Sequence, residues 1–132
     1  MEPFKAKGKI IYDPVAGKAQ NPWWVIVECP KDIIDYYHHW VLKEEQVKLN
    51  KPLFGAHISV IRGEEPPEAK QKLWRELHEQ EVEFTYSHEV ENDGEYYWLR
   101  VECKALNELR NQLGLSEEVQ FGFHLTIGRL VS

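Results

Sequence analysis

Two nine-residue strings in this chain are near copies of each other. Phe54-Gly55-Ala56-His57-Ile58-Ser59-Val60-Ile61-Arg62 matches Phe121-Gly122-Phe123-His124-Leu125-Thr126-Ile127-Gly128-Arg129. They lie 67 positions apart, about half of the 132 residues. Phe, Gly, His and Arg recur in place, and Ser59 corresponds to Thr126. The aliphatic residues between them read as strand, and a spacing of two sets each His and its hydroxyl on one side. Such a repeat constrains the fold strongly. It predicts a degenerate duplication of two halves, in which a two-fold arrangement would put two imidazoles and two hydroxyls around one cleft.

The remaining patterning predicts an α+β domain, antiparallel sheets lining the cleft with helices outside. Lys5 to Tyr12 reads as a first strand with Lys5, Lys7 and Lys9 on one face, either a solvated edge or a phosphate-facing row. Asp13 to Pro22 is a loop punctuated by Gly17 and two prolines. Trp23 to Cys29 alternates as a second strand. A helix is expected from Pro30 to about Leu49, with Ile33, Ile34, Tyr37, Val41 and Leu42 as its apolar stripe. The first His strand runs from about Gly55 to Arg62. After a turn, a second helix is expected over Glu68 to Glu79, burying Leu73, Trp74 and Leu77. Val82 to Val90 and Glu95 to Val101 form a hairpin about Asn92-Asp93-Gly94. A third helix, about Ala105 to Leu113, stops at Gly114. The second His strand, Gly122 to Val131, follows. Residues 1–132 are read as a single domain.

Two histidines suit chemistry at phosphorus. In-line displacement needs a base on the entering oxygen and an acid on the leaving one, on opposite sides. Imidazole serves both roles near neutral pH. Ser59 and Thr126 can donate to the non-bridging oxygens. Arg62 and Arg129 follow their histidines by five residues, so strict alternation turns them to the opposite face. A bulge at Gly63 or Gly128 would turn them back toward phosphate; without one they are surface ion-pair partners. Gly128 itself, on the His side, is expected to leave room for a ligand.

The pair His57-Ile58-Ser59 and His124-Leu125-Thr126 resembles the signature of the two-histidine phosphoesterase superfamily, which includes RNA 2′-5′ ligase-like proteins and cyclic phosphodiesterases. The resemblance implies a bilobal fold with a central cleft, His57 and His124 as catalytic residues, no metal or other cofactor, and an RNA-like or cyclic phosphodiester substrate. A module binding a phosphorylated nucleotide in the same cleft without turnover is the alternative.

Charge and composition narrow the partners. A net charge of −6 argues against tracking long nucleic acid, which draws affinity from basic surface. A small nucleotide or short oligonucleotide is expected instead. No segment has the roughly 20 apolar residues of a membrane span, and no signal pattern opens the chain. Cys29 and Cys103 suggest inert thiols rather than a disulfide framework. A cytoplasmic monomer or weak dimer follows as the expectation. His38, His39, His78 and His88 lack metal-ligand spacing. Tyr96, Trp98 and Arg100 share one strand face and are candidates for stacking a base and meeting a phosphate. Tyr12 and Trp23 are further stacking candidates. Glu64-Glu65 and Glu117-Glu118 read as solvated acidic turns.

Overall fold

The computed structural model describes residues 3–14, 22–52, 55–117, 119 and 122–131. Phe54 and Phe121, which open the two strings, lie outside the described residues, as do the loop segment 15–21 and Glu118.

Seven strands and two α-helices make up the described chain: β1 (Phe4–Tyr12), β2 (Trp24–Glu28), α1 (Lys31–Glu45), β3 (Leu49–Asn50), β4 (His57–Arg62), β5 (Glu81–Asn92), β6 (Tyr96–Glu102), α2 (Lys104–Gln112) and β7 (Phe123–Leu130). A short 3-10 helix, Glu68–Leu73, precedes β5. All strand pairings are antiparallel, in the order β3-β7-β4-β2-β1-β5-β6, and β6 also pairs with β7. Six strands therefore close into a ring, with β3 as a short addition along the end of β7. The α+β class and the antiparallel sheet hold. The bilobal expectation does not: a single closed sheet replaces two sheets, because β7 is hydrogen-bonded on both edges.

Alternation gives the sheet two faces. One carries Ile10, Val25, Val27, Ile58, Phe84, Leu99, Val101, Leu125 and Ile127, packed with Ile33, Ile34, Tyr37 and Val41 of α1 and Leu106, Leu109 and Leu113 of α2. The opposite face carries both histidines. No described helix is long and apolar enough to cross a membrane.

Three boundaries differ from expectation. Helix α1 ends at Glu45, where Gln46 turns left-handed (φ 56°), because the following residues are drawn into β3 against Leu130 and Arg129 of β7. The segment 68–79 is no α-helix. Trp74 is extended, and Arg75 and Glu79 have positive φ. Its apolar residues Leu73, Trp74 and Leu77 still pack on the core. Trp74 is held there by its indole N–H on the Asp13 carboxylate and by edge contacts with Tyr12 and Trp23. Third, β1 is an interior strand between β2 and β5, not an edge.

Candidate active site

The two repeated strings lie side by side. Ile58 of β4 pairs antiparallel with Leu125 of β7. Continuing that register one residue either way sets His57 opposite Thr126 and Ser59 opposite His124. All four side chains are half-buried, between the fully buried Ile58 and Leu125. A local two-fold thus relates the two His strands, about one pair of residues rather than between two lobes.

The symmetry extends into details that explain the repeated sequence. Gly55 and Gly122, each two residues before a histidine, have φ of +69° and +70°, with open space where a Cβ would project. Their glycine is required by backbone conformation, not by crowding. Each strand then carries one extra residue. Ile26 pairs with Ser59 and Val25 with Ile61, so Val60 is a bulge. Trp98 pairs with Thr126 and Tyr97 with Gly128, so Ile127 is its counterpart. Each bulge reverses the alternation once and returns the arginine to the histidine face. Arg62 lies opposite Trp24 with its guanidinium 5.5 Å from the ring centroid. Arg129 lies opposite Tyr96 at 5.7 Å and also pairs with Glu95 at 2.6 Å.

Both bulges are held by basic side chains from the helices. His38 of α1 donates from Nε2 to the Ile127 carbonyl. Arg110 of α2, only 2% exposed, donates to the Val60 carbonyl at 2.9 Å. Arg110 also grips both oxygens of Glu64 at 2.7 Å and the Ser116 carbonyl at 2.7 Å. Glu64 is therefore a structural partner rather than a solvated turn residue, and Arg110 holds its carboxyl below the usual range. Neither His38 nor Arg110 carried a signal for this role, since the bulges they hold interrupt ordinary aliphatic runs. The space beside Gly128 is not ligand room. A Cβ there would come within 2.6 Å of the Asn50 carbonyl and 2.8 Å of His38 Nε2. The glycine permits close approach of β3 and α1 instead.

A cleft of about 830 Å³ is lined by Asp93, Tyr96, Trp98, Arg100, Gly122, His124 and Thr126, with His57 and Ser59 not among its lining residues. Trp98 lies opposite Thr126, and its ring is 6.1 Å from that of His124. Arg100 lies opposite His124 while pairing with Glu91 at 2.6 Å. Tyr96 and Trp98 are thus brought to the site. Tyr12 and Trp23 are not: Tyr12 faces the apolar core, 2% exposed, and both rings meet Trp74 edge-on at 5.0 Å. The lysine row shares the histidine face, since Lys9 is opposite Glu28 and Glu28 is opposite His57. Its charge is matched locally, with Lys7 opposite Glu83 and Lys9 opposite Glu81.

The His57 ring has a defined tautomer. His57 Nδ1 is 3.0 Å from the Gly55 carbonyl. A carbonyl only accepts, so Nδ1 carries the proton, and in the neutral ring Nε2 holds the lone pair. Burial lowers the His57 pKa; the Gly55 bond opposes that shift, while the positive charges of Arg62 and His124 add to it. The two rings therefore feel each other across the site. Among the described residues, no group of three or more His, Cys, Asp or Glu side chains gathers as a metal site.

The family model described as "Swiss Army Knife, 2H phosphoesterase domain" matches residues 25–130. That span includes both histidine strands, both bulges and both helices. No curated protein and no solved structure matches significantly.

Proposed function

The chain belongs to the two-histidine (2H) phosphoesterase family, and on that premise we propose that it is a phosphodiesterase acting on a small nucleotide phosphodiester, a 2′,3′-cyclic phosphate or a cyclic oligonucleotide. The family's chemistry is phosphoester hydrolysis. The observation that carries the finer reading is the Ile58–Leu125 register, which sets two His/hydroxyl pairs crosswise on one face of the sheet.

The setting of His57 supports a division of labour. His57, neutral and protonated on Nδ1, is the base. Its Nε2 takes a proton from water as the water oxygen attacks phosphorus. The bond from phosphorus to the departing ribose oxygen breaks in line. His124 gives a proton to that oxygen. Ser59 and Thr126 donate to the non-bridging oxygens, where charge accumulates in the transition state. Arg62 and Arg129, returned to this face by the bulges, add positive charge nearby. Tyr96 and Trp98 supply flat aromatic surface for the base. Arg100, opposite His124, stands where it can meet a second phosphate of an oligonucleotide.

The test is incubation with 2′,3′-cyclic mononucleotides, linear 2′-5′ and 3′-5′ oligonucleotides and cyclic dinucleotides, with products read by mass spectrometry with and without EDTA. The expected result is opening of at least one cyclic substrate, undiminished by the chelator. Tight nucleotide binding without product would favour the binding-module reading. Neither binding nor product from the whole panel would refute the proposal.

A further inference from the structure

The hairpin turn between β5 and β6 places a carboxylate on the same cleft as His124, at the opposite end of β6. Asp93 Oδ1 accepts from the Glu95 amide at 2.9 Å and the Tyr96 amide at 2.7 Å. Those two donors, Tyr96 first, hold its carboxyl below the usual range, so it is an anion at neutral pH. Both cross-residue bonds fall on Oδ1. Oδ2 receives none from another described residue, and Asp93 lines the cleft. The turn needs one acceptor oxygen, yet the residue presents a second.

Its position along β6 is informative. Trp98 is level with Thr126, beside the phosphate site. Tyr96, two residues on, lies roughly 7 Å further along the same face. Asp93 is bonded to the Tyr96 amide. From the imidazoles outward, the order is phosphate-binding hydroxyl, indole, phenol, carboxylate. That order matches a nucleotide laid from phosphate to base edge. A carboxylate accepts and never donates when ionised, so it selects an edge that offers N–H groups.

Building on the phosphodiesterase reading, we infer that Asp93 is a specificity residue that selects guanine. Guanine alone presents two adjacent N–H donors, N1–H and the 2-amino group, on its Watson–Crick edge. Adenine and cytosine place a ring acceptor beside their amino group. Uracil flanks its single N–H with two carbonyls. Either arrangement sets a lone pair against the Asp93 anion. Reading a base by its Watson–Crick edge while stacking its face is an established mode of recognition.

The test compares guanosine and inosine 2′,3′-cyclic phosphates, which differ only in the 2-amino group, with the adenosine, cytidine and uridine forms alongside. Wild-type kcat/KM should favour guanosine over inosine on the order of 10- to 100-fold, the size a hydrogen bond to a charged acceptor supports. The variant Asp93→Asn keeps the turn's acceptor oxygen and replaces the other by an NH2 donor. It should lower the guanosine rate most and the inosine rate less, since inosine loses only its N1–H contact, so that the preference for guanosine over inosine collapses. Equal wild-type rates for guanosine and inosine, or a preference that survives Asp93→Asn, would overturn the inference while leaving the phosphodiesterase reading intact. Absence of both turnover and binding across all five nucleotides would overturn the inference, and the wider panel of oligonucleotides and cyclic dinucleotides then decides the phosphodiesterase reading.

Discussion

Arg110→Met tests whether the buried guanidinium holds the first bulge and, through it, the site. The native side chain is 3% exposed and makes four hydrogen bonds, to Ser116, Val60 and both oxygens of Glu64. Methionine fills much of the volume but donates nothing. Removing one member of a buried ion pair costs about 3–5 kcal/mol. The Glu64 side chain is 42% exposed, so water recovers part of its solvation and the low end applies to the pair. Leaving the Val60 carbonyl without its donor belongs to the same cost and is not added again. A destabilisation of about 3 kcal/mol follows, or roughly 10–15 °C in Tm for a domain of this size. The assay is reversible thermal or urea unfolding, followed by kcat/KM well below the transition. Activity should fall more than the folded fraction does, because Val60 aims Arg62. The pH dependence has a definite sign. Arg110 lowers the folded pKa of Glu64, so the pair's contribution is complete above the unfolded carboxylate pKa of about 4.3. It is lost as pH falls through the lower folded value. The gap between wild type and variant should therefore narrow in acid. A variant within about 1 kcal/mol of wild type at neutral pH would refute the reasoning, since exposed pairs are worth no more than that.

Gly128→Ala should destabilise the fold by about 1–3 kcal/mol, because its Cβ would press on the Asn50 carbonyl, His38 and Leu49; urea unfolding measures it, and a neutral outcome would show the contact to be loose. The acid limb of kcat/KM should lie below the ordinary histidine pKa of about 6.5, since the base must be neutral and the His57 pKa is lowered. Arg62→Gln should move that limb upward by removing one of the charges that lower it; an unmoved limb counts against His57 as the titrating group. The Cys29 thiol, pushed up to about 12 chiefly by burial, should resist a thiol reagent at pH 8 in the folded protein and react at once in denaturant.

The site was legible in the sequence because its signal is local and doubled. His57-Ile58-Ser59 and His124-Leu125-Thr126 fix residue types and relative faces without any knowledge of topology. Their adjacency was not legible, because it depends on how the sheet closes. The arginines were misdirected by strict alternation. Val60 and Ile127 are β-branched residues in good strand context, and nothing local marks either as the extra residue; register against β2 and β6 decides it. The false helix at 68–79 has a related cause. Leu73, Trp74 and Leu77 show helical spacing, but Trp74 is fixed instead by Asp13, a residue 61 positions away. Asp93 was read for its turn alone, since a turn signal and a cleft-facing carboxylate use the same residue.

The central claim is that His57 and His124 act on one phosphorus. The most direct measurement is turnover at saturating cyclic nucleotide by His57→Ala, His124→Ala and the double variant, with nucleotide binding measured in parallel. Each single change should lower kcat by about 10²–10⁴ while binding largely persists, and the double change should add little, because residues acting as a unit are not additive. Near-normal turnover in either single variant, or losses that simply multiply in the double, would contradict the claim.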